Sequence, residues 1–420
     1  MEYIYVERRV YQFNYLPEVP ADIRVVVGID FGTTFSGFAY ANVETGVVTS
    51  NEDWPGKKGP KKVPTVLQYD ENFDHVISWG FDALANEPTK RRKKDKSIPS
   101  RPVELFKLHL GDIQAKEKPV IPSKITPERA IADYLRKLGI IKEEVERRWP
   151  GIDFFRMVRL VVTVPAEFNE ETKWIMRQCI FNAGLIKNSG TQNLKFTTEP
   201  EAAAIHCMNV LKEHGLKIGD KYLVVDCGGG TVDLTVRKLL DNNQLGEDTE
   251  RSGDLCGGTY VDKEFLRFLE GKVGKNAIKM LLEKHYGHLS YMIQQFCERV
   301  KTRFTGVESE FRKYNLDIEK DWEIEIDFET VKSFFDPVIN KILRLISVQL
   351  DASKCTVMFL VRGFSESKYL QKRIKQWFSQ CKVAVPPYPM AAIARGAVEY
   401  GLDIVTIVGR AFNNFRLDLA

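Results

Sequence analysis

The sequence predicts an α/β chain folded as two half-domains that face each other across one cleft, and three observations predict it. First, two glycine-containing stretches far apart in the chain read alike: Gly28-Ile29-Asp30-Phe31-Gly32-Thr33-Thr34-Phe35-Ser36 and Asp226-Cys227-Gly228-Gly229-Gly230-Thr231-Val232-Asp233. Second, each follows an apolar, β-branched run, Val25-Val26-Val27 or Tyr222-Leu223-Val224-Val225, and each leads into another strand-like run, so each reads as strand, tight turn, strand. Third, strand-like and helix-like segments alternate elsewhere in the chain, the pattern of an α/β class. Glycine lets the backbone turn at positive φ and lets N–H groups approach an anion with no Cβ in the way. An Asp at the end of the first strand is placed to hold a Mg²⁺ through water. Two such loops imply half-domains that meet on the phosphates of one nucleotide.

Taken in order, residues 1–23 show no clear period, carry Pro17 and Pro20, and read as a leader. The first hairpin begins at Arg24. Val63 to Tyr69 and His75 to Trp79 read as further strands, and Phe81 to Ala85 as a helical turn. The basic run Lys90 to Lys96 reads as a solvated loop, because like charges repel and resist burial; an anionic-partner patch is the sharper alternative. Arg101 to Leu110 looks helical. Pro127 to Arg148 reads as one long amphipathic helix, with Ile131, Tyr134, Leu135 and Leu138 at helical spacing and Thr126 as N-cap. Met157 to Val164 is a buried strand, and Asn169 to Ala183 a helix that Gly184 ends. Leu194 to Thr197 is a short strand leading to a helix over Glu201 to Glu213.

In the second half, Gly257-Gly258 introduces a helix from about Tyr260 to Glu270. Ser290 to Phe304 reads as helical, and so does Thr330 to Leu350, where Pro337 should kink or restart it. Thr356 to Val361 is a strand, Ser367 to Phe378 a helix, and Pro389 to Tyr400 a final helix. Leu402 to Ala420 holds one strand-like run, Val405 to Val408, and reads otherwise as a tail.

The paired loops resemble those of the actin-like ATPase superfamily. Two further segments narrow the resemblance: Val161-Val162-Thr163-Val164-Pro165-Ala166-Glu167-Phe168-Asn169 and Thr198-Glu199-Pro200-Glu201-Ala202-Ala203-Ala204-Ile205. Both are similar to segments of the heat-shock protein 70 chaperones. Thr34-Phe35-Ser36-Gly37-Phe38-Ala39 and Gly363-Phe364-Ser365-Glu366-Ser367 look more like the divergent, twelve-type branch than like the main chaperones. The resemblance implies a two-lobed fold of duplicated ribonuclease H-like domains with a nucleotide cleft between them. It divides the chain into a leader (1–23), lobe I (24–200), lobe II (201–388), and a helix returning to lobe I with a short tail (389–420).

The same resemblance implies the roles at the site. Phosphoryl transfer needs positioning and charge neutralisation more than covalent help. Asp30 and Asp226 would flank the shell of a Mg²⁺, held through water. Gly32, Thr33 and Thr34 from one loop, and Gly228, Gly229, Gly230 and Thr231 from the other, would offer donors to the β- and γ-phosphates. Glu199 would orient the attacking water; Asp226 or Glu199 would be the base, a choice the sequence leaves open. Asp233 resembles an acidic residue near a monovalent cation such as K⁺. Lys107, in Phe106-Lys107-Leu108-His109-Leu110-Gly111, matches a phosphate-binding Lys, although the neighbouring Ala and Arg of the family are absent. Pro165 with Lys173 resembles a pair that relays nucleotide state. Glu298 and Lys301 match residues that grip the ribose. At the adenosine end the chain departs from the family. Thr302 and Glu366 stand where two stacking Arg are expected, and Arg362, before Gly363, replaces a Gly. The Arg362 side chain either fills the base site or lies over the adenine as a cation–π partner. The positive-φ backbone that a Gly position usually demands favours obstruction.

Composition sets the bounds. The chain has 420 residues, 61 basic and 57 acidic, for a net charge of +4; this near balance makes no case for a nucleic-acid or membrane surface. Seven scattered Cys with no Cys-x-x-Cys pair argue against zinc or a redox dithiol and fit free thiols in a reducing compartment. No secretory signal and no membrane-length apolar run are read, so the expected setting is cytoplasmic. A peptide-binding β-sandwich needs on the order of 100 residues, and far fewer follow Gly401. The leading expectation is thus an ATP-binding, slowly hydrolysing heat-shock-70-like protein without the usual peptide-binding domain, with a client or co-chaperone as partner. A nucleotide-sensing scaffold with little turnover is the alternative, and a small-molecule kinase a third. The loops continue into strands rather than opening a Gly-x-Gly-x-x-Gly helix, which argues against a dehydrogenase.

Overall fold

The computed structural model describes residues 3–6, 9–12, 22–84, 101–111, 118–211, 215–240, 245–247, 252–319 and 322–403. The basic run Lys90 to Lys96 and the strand-like run Val405 to Val408 lie outside the described residues, as does most of the leader. Within the leader, Tyr3–Val6 and Arg9–Gln12 pair antiparallel with each other.

Two six-stranded sheets carry the fold, and their strand orders echo each other. In the first, Val25–Asp30 forms a hairpin with Phe35–Asn42, and Val158–Val164 and Leu194–Thr198 follow in parallel on its other side. In the second, Lys221–Cys227 forms a hairpin with Val232–Leu239, and Val357–Val361 and Lys382–Ala384 follow in parallel. The two-lobed actin-like ATPase architecture expected from the sequence is present, and the faint internal repeat is a structural duplication. Central strands bury both faces: every residue of Val25–Asp30 and of Val158–Val164 is buried. That explains why they read as continuous apolar runs rather than alternating ones.

The register fixes the site. Asp30 sits opposite Thr163 and Asp226 opposite Val361, so each Asp is the last or last-but-one residue of its strand, beside the final residues of a parallel neighbour. The residue after Val361 is Arg362, which therefore leaves the sheet next to Asp226.

Helices cover both sheets. Thr126 caps Pro127–Lys137 by accepting from the Arg129 N–H, and Asn169 and Ser367 cap Glu170–Asn182 and Lys368–Trp377 in the same way. Gly184 takes φ +77° after its helix, as expected. Four readings need correction. Pro127 to Arg148 is two helices, Pro127–Lys137 and Ile140–Arg148, parted at Gly139. Arg101 to Leu110 is no α-helix: Val103–Glu104 pairs with the Val66–Tyr69 strand, Leu105 turns at φ +60°, and only a 3₁₀ turn, Phe106–Leu110, follows. Pro337 does not interrupt Phe328–Ala352, because the buried face from Val331 to Ile346 holds that helix together. Ser290 to Phe304 is instead Tyr286–Phe296 followed by a wide π-type turn, Cys297–Lys301, beside the cleft. A helix, Lys275–Lys284, and a hairpin, Tyr314–Glu319 with Trp322–Ile326, were not anticipated.

The helix over residues 392–403 packs its small residues on the first sheet, with Ala394, Ala397 and Val398 against Val26 and Val161. It also crosses Glu199–Leu211 at close range, since a Cβ built at Gly396 would overlap the Ala202 carbonyl. No helix among the described residues is long and apolar enough to cross a membrane. Gly396→Val should therefore force these helices apart. A loss of about 3 kcal/mol or more is expected in urea unfolding, and unchanged stability would mean that the crossing is loose.

Candidate functional site

The two predicted loops meet. Gly229 lies against Thr34 so closely that a Cβ on it would overlap the threonine hydroxyl. Between the loops opens a cavity of about 320 Å³ lined by Gly32, Thr33, Thr34 and Phe35 on one side and by Gly228 to Thr231 on the other. It continues past Lys62 and Arg362 to Gly258, Thr259, Asp262, Lys301, Thr302, Phe364 and Met390. Gly228 N–H closes its own hairpin on Thr231, and Gly32 N–H donates to Ser36 Oγ. Among the described residues the N–H groups of Thr33, Thr34, Gly229 and Gly230 have no protein acceptor, so they remain available to an anion.

Beneath the loops lies an ionic cluster. Asp30 is fully buried, and its Oδ2 accepts from Lys62 Nζ at 2.5 Å. Glu199 opens its helix and accepts twice: from Lys107 Nζ at 2.6 Å and from Arg362 Nη2 at 2.5 Å. Lys107 Nζ also donates to the Phe31 carbonyl at 2.6 Å. The Arg362 guanidinium reaches further, with Nε 3.2 Å from Asp226 Oδ1 and Nη2 3.8 Å from Asp30 Oδ1. Neither Nε nor those two carboxylate oxygens has an aligned hydrogen bond. Asp30, Glu199, Asp226 and Lys107 stand behind Arg362 and Lys62, which line the cavity in their place.

The carboxyl groups are not equivalent. Burial works against the Glu199 charge, yet Arg362 and Lys107 hold its carboxyl well below the usual range. Burial pushes Asp226 up to about 7, because its contact with Arg362 does not offset desolvation and the neighbouring carboxylates. Burial likewise pushes Asp233 up to about 6, with the Thr231 hydroxyl donating to it at 2.9 Å.

A Mg²⁺ between Asp30 and Asp226 does not fit this arrangement. Such an ion needs near-octahedral oxygens or waters at 2.0–2.1 Å, and the Arg362 fork lies between the two carboxylates it would bridge. Among the described residues no group of three or more His, Cys, Asp or Glu is arranged to hold a metal. Arg362 therefore neither fills the base site nor overlies it: it turns down to the carboxylates and leaves the far end of the cavity open. The backbone expectation holds, since Arg362 sits at φ +68° and ψ −179°, a conformation close to glycine's own.

At that far end Lys301 Nζ is bound by both oxygens of Asp262 at 2.8 Å, a partner that sequence reasoning missed. Glu298 stands apart: it is half exposed and faces Lys57 of the first half of the chain at 3.5 Å. Phe364, Met390 and Gly363 line that end of the cavity with apolar surface. Lys173 pairs with Glu170 rather than with anything near Pro165. Lys62 was also missed. Its signal was position alone, directly before Val63, which pairs with Ser36 beside the first loop.

A family model described as Hsp70 protein matches residues 26–399. Among curated proteins, Heat shock 70 kDa protein 12A of Homo sapiens is 27% identical over 478 residues, covering 91% of this chain and 70% of that protein. Heat shock 70 kDa protein 12B of Homo sapiens is 24% identical over 479 residues, covering 91% and 69%. Chaperone protein DnaK of Carsonella ruddii (strain PV) is 25% identical over 409 residues, covering 89% and 62%.

The elevated Asp226 carboxyl makes a pH prediction. Between its ordinary 3.8 and about 7 the folded chain holds a proton that the unfolded chain has lost, so this group's contribution to stability falls as pH rises through that window. Asp226→Asn, which mimics the protonated form, should raise the melting temperature by a few degrees at pH 8. Near pH 4 the gain should vanish. An equal gain at both pH values would remove the Asp226 proton from the explanation.

Proposed function

The chain belongs to the heat-shock protein 70 family, on its twelve-type branch, and from that premise we propose a nucleotide-sensing role: the cleft binds ATP or ADP with little or no turnover. The observation that carries this reading is one cavity lined by both phosphate-type loops, with unpartnered amides at one end and apolar surface at the other. Thr33, Thr34, Gly229, Gly230 and Thr231 take the phosphates. Lys301, held by Asp262, meets the ribose, and Phe364 and Met390 meet the base.

Low turnover follows from the position of the carboxylates. A water attacking the terminal phosphate needs Asp226 or Glu199 within hydrogen-bond reach, and both lie behind Arg362. The slow-hydrolysis alternative requires Arg362 to swing away, breaking its bond to Glu199. Lobe I and lobe II, at the boundaries expected from sequence, then report occupancy through the contact of Thr34 with Gly229. Hsp70-family chaperones bind nucleotide and client or co-chaperone proteins; by analogy the partner here is a protein that reads the lobes.

Calorimetry with ATP and with ADP tests this reading. One site per chain is expected, and Gly229→Val should weaken binding at least about tenfold by wedging Thr34 away while leaving the melting temperature nearly unchanged. No heat with either nucleotide would defeat the reading. Single-turnover hydrolysis at a rate unaffected by Asp226→Asn is the second expected result. Loss of a measurable rate in that variant would favour the hydrolysing alternative.

A further inference from the structure

We propose that the Arg362 guanidinium, assisted by the Lys62 ammonium, is a built-in cation that takes the place of a divalent metal, so that the cleft accepts a nucleoside di- or triphosphate as the metal-free anion. This rests on the nucleotide-binding reading above and goes beyond it.

The first support is charge. Asp30, Glu199 and Asp226 face Lys62, Lys107 and Arg362, so three buried carboxyl groups meet three buried cations. Without Arg362, carboxylates would outnumber cations at the place where the two loops meet, a deficit suited to a divalent ion. With Arg362 each of the three carboxyl groups has a cation in contact, and the place between Asp30 and Asp226 where a dication would sit is taken by the guanidinium.

The second support is geometry. One edge of the planar guanidinium serves the carboxylates: Nη2 is 2.5 Å from Glu199 and Nε 3.2 Å from Asp226. Nη1 lies on the other side, next to the Gly228 turn, with no protein acceptor among the described residues. Arg362 and Lys62 line the cavity while the carboxylates do not. A phosphate held by the loop amides thus meets fixed positive charge and is shielded from the carboxylates, which is what a bound metal would otherwise accomplish. A guanidinium is suited to this, being permanently charged and presenting its donors in a fixed fork.

The third support is strain. Arg362 keeps φ +68° with ψ −179°, a region other residues avoid, while its N–H donates to the Pro389 carbonyl at 2.7 Å. Such strain persists only where the surroundings fix it, and here the Pro389 carbonyl holds the backbone N–H while Glu199 holds the guanidinium.

Two measurements on the full chain test the proposal. In the first, Mn²⁺ is titrated into nucleotide-free protein and followed by electron paramagnetic resonance. Wild type should bind none stoichiometrically, Arg362→Gly should gain one site, and Arg362→Gly combined with Asp226→Asn should lose it. In the second, ADP binding is measured by calorimetry in EDTA and in excess Mg²⁺. Wild type should bind at least as tightly in EDTA, whereas Arg362→Gly should bind about tenfold tighter with Mg²⁺ than without. Arg362→Lys should retain the wild-type pattern. If Arg362→Gly does not fold, Arg362→Met carries the same comparison. A stoichiometric Mn²⁺ site in wild type, no gain of one in the Gly or Met variant, or a tenfold Mg²⁺ requirement in wild type would each overturn the proposal. ADP binding absent from wild type in both buffers defeats the nucleotide reading and the ligand named here; the Mn²⁺ titration then still decides whether Arg362 replaces a metal.

Discussion

The neutralisation of three buried carboxyl groups by three buried cations is the constraint on which the rest of this cleft depends. Asp30, Glu199 and Asp226 are each under a tenth exposed. An isolated carboxylate in such a place would give up its charge. Lys62, Lys107 and Arg362 prevent that unequally: Glu199 receives two short bonds and stays ionised, whereas Asp226 receives a misaligned contact and becomes the group that takes a proton. Breaking such a buried pair from one side costs about 3–5 kcal/mol. The cluster therefore stiffens the floor of the cleft.

The duplicated sheets explain how residues so distant in sequence converge. In each half the hairpin strand ending in Asp is flanked by a parallel strand, and the chain leaving that neighbouring sheet region delivers a charged side chain. Glu199 follows the Leu194–Thr198 strand in the first half, and Arg362 follows Val357–Val361 in the second. The two halves thus contribute opposite charges from strand ends of different rank, Leu194–Thr198 lying two strands from Val25–Asp30 and Val357–Val361 lying directly beside Lys221–Cys227, and those charges meet at 2.5 Å. Strand ends are where parallel sheets leave backbone and side chains free to form a site.

Much of this was legible in the sequence because glycine turns and β-branched runs are local signals. The hairpins at Asp30 and Asp226 needed only a few residues each, and the cap Thr126 announced its helix. What was not legible depended on partners far away. Lys62 looked like one more lysine in Lys57-Lys58-Gly59-Pro60-Lys61-Lys62 until pairing of Val63 with Ser36 carried it to Asp30. Arg362 was recognised as a departure, and its strained backbone was anticipated. The direction of its side chain was not, because that is set by Glu199, which lies 163 residues away in sequence. Asp262 escaped notice for the same reason: its partner Lys301 is 39 residues distant, brought close by the π-type turn.

Arg362 also changes what closing the cleft means. Where two loops on separate lobes are joined only through a ligand, the ligand supplies the attraction and its loss lets the lobes part. Here a protein side chain already joins them: Arg362 follows the second-sheet strand Val357–Val361, and it reaches toward Asp30 of the first sheet and bonds Glu199, which opens the helix after the first-sheet strand Leu194–Thr198. Tyr286 with Glu104 at 2.6 Å and Glu298 with Lys57 at 3.5 Å add further ties between the halves of the chain. A ligand can shift an equilibrium only by its differential affinity for the two states. With the two halves already joined by these contacts, a ligand bound between them would have less of the joining left to do. The same residue that contacts the carboxylates thus also ties the two halves of the chain together, and both consequences follow from where one guanidinium lies.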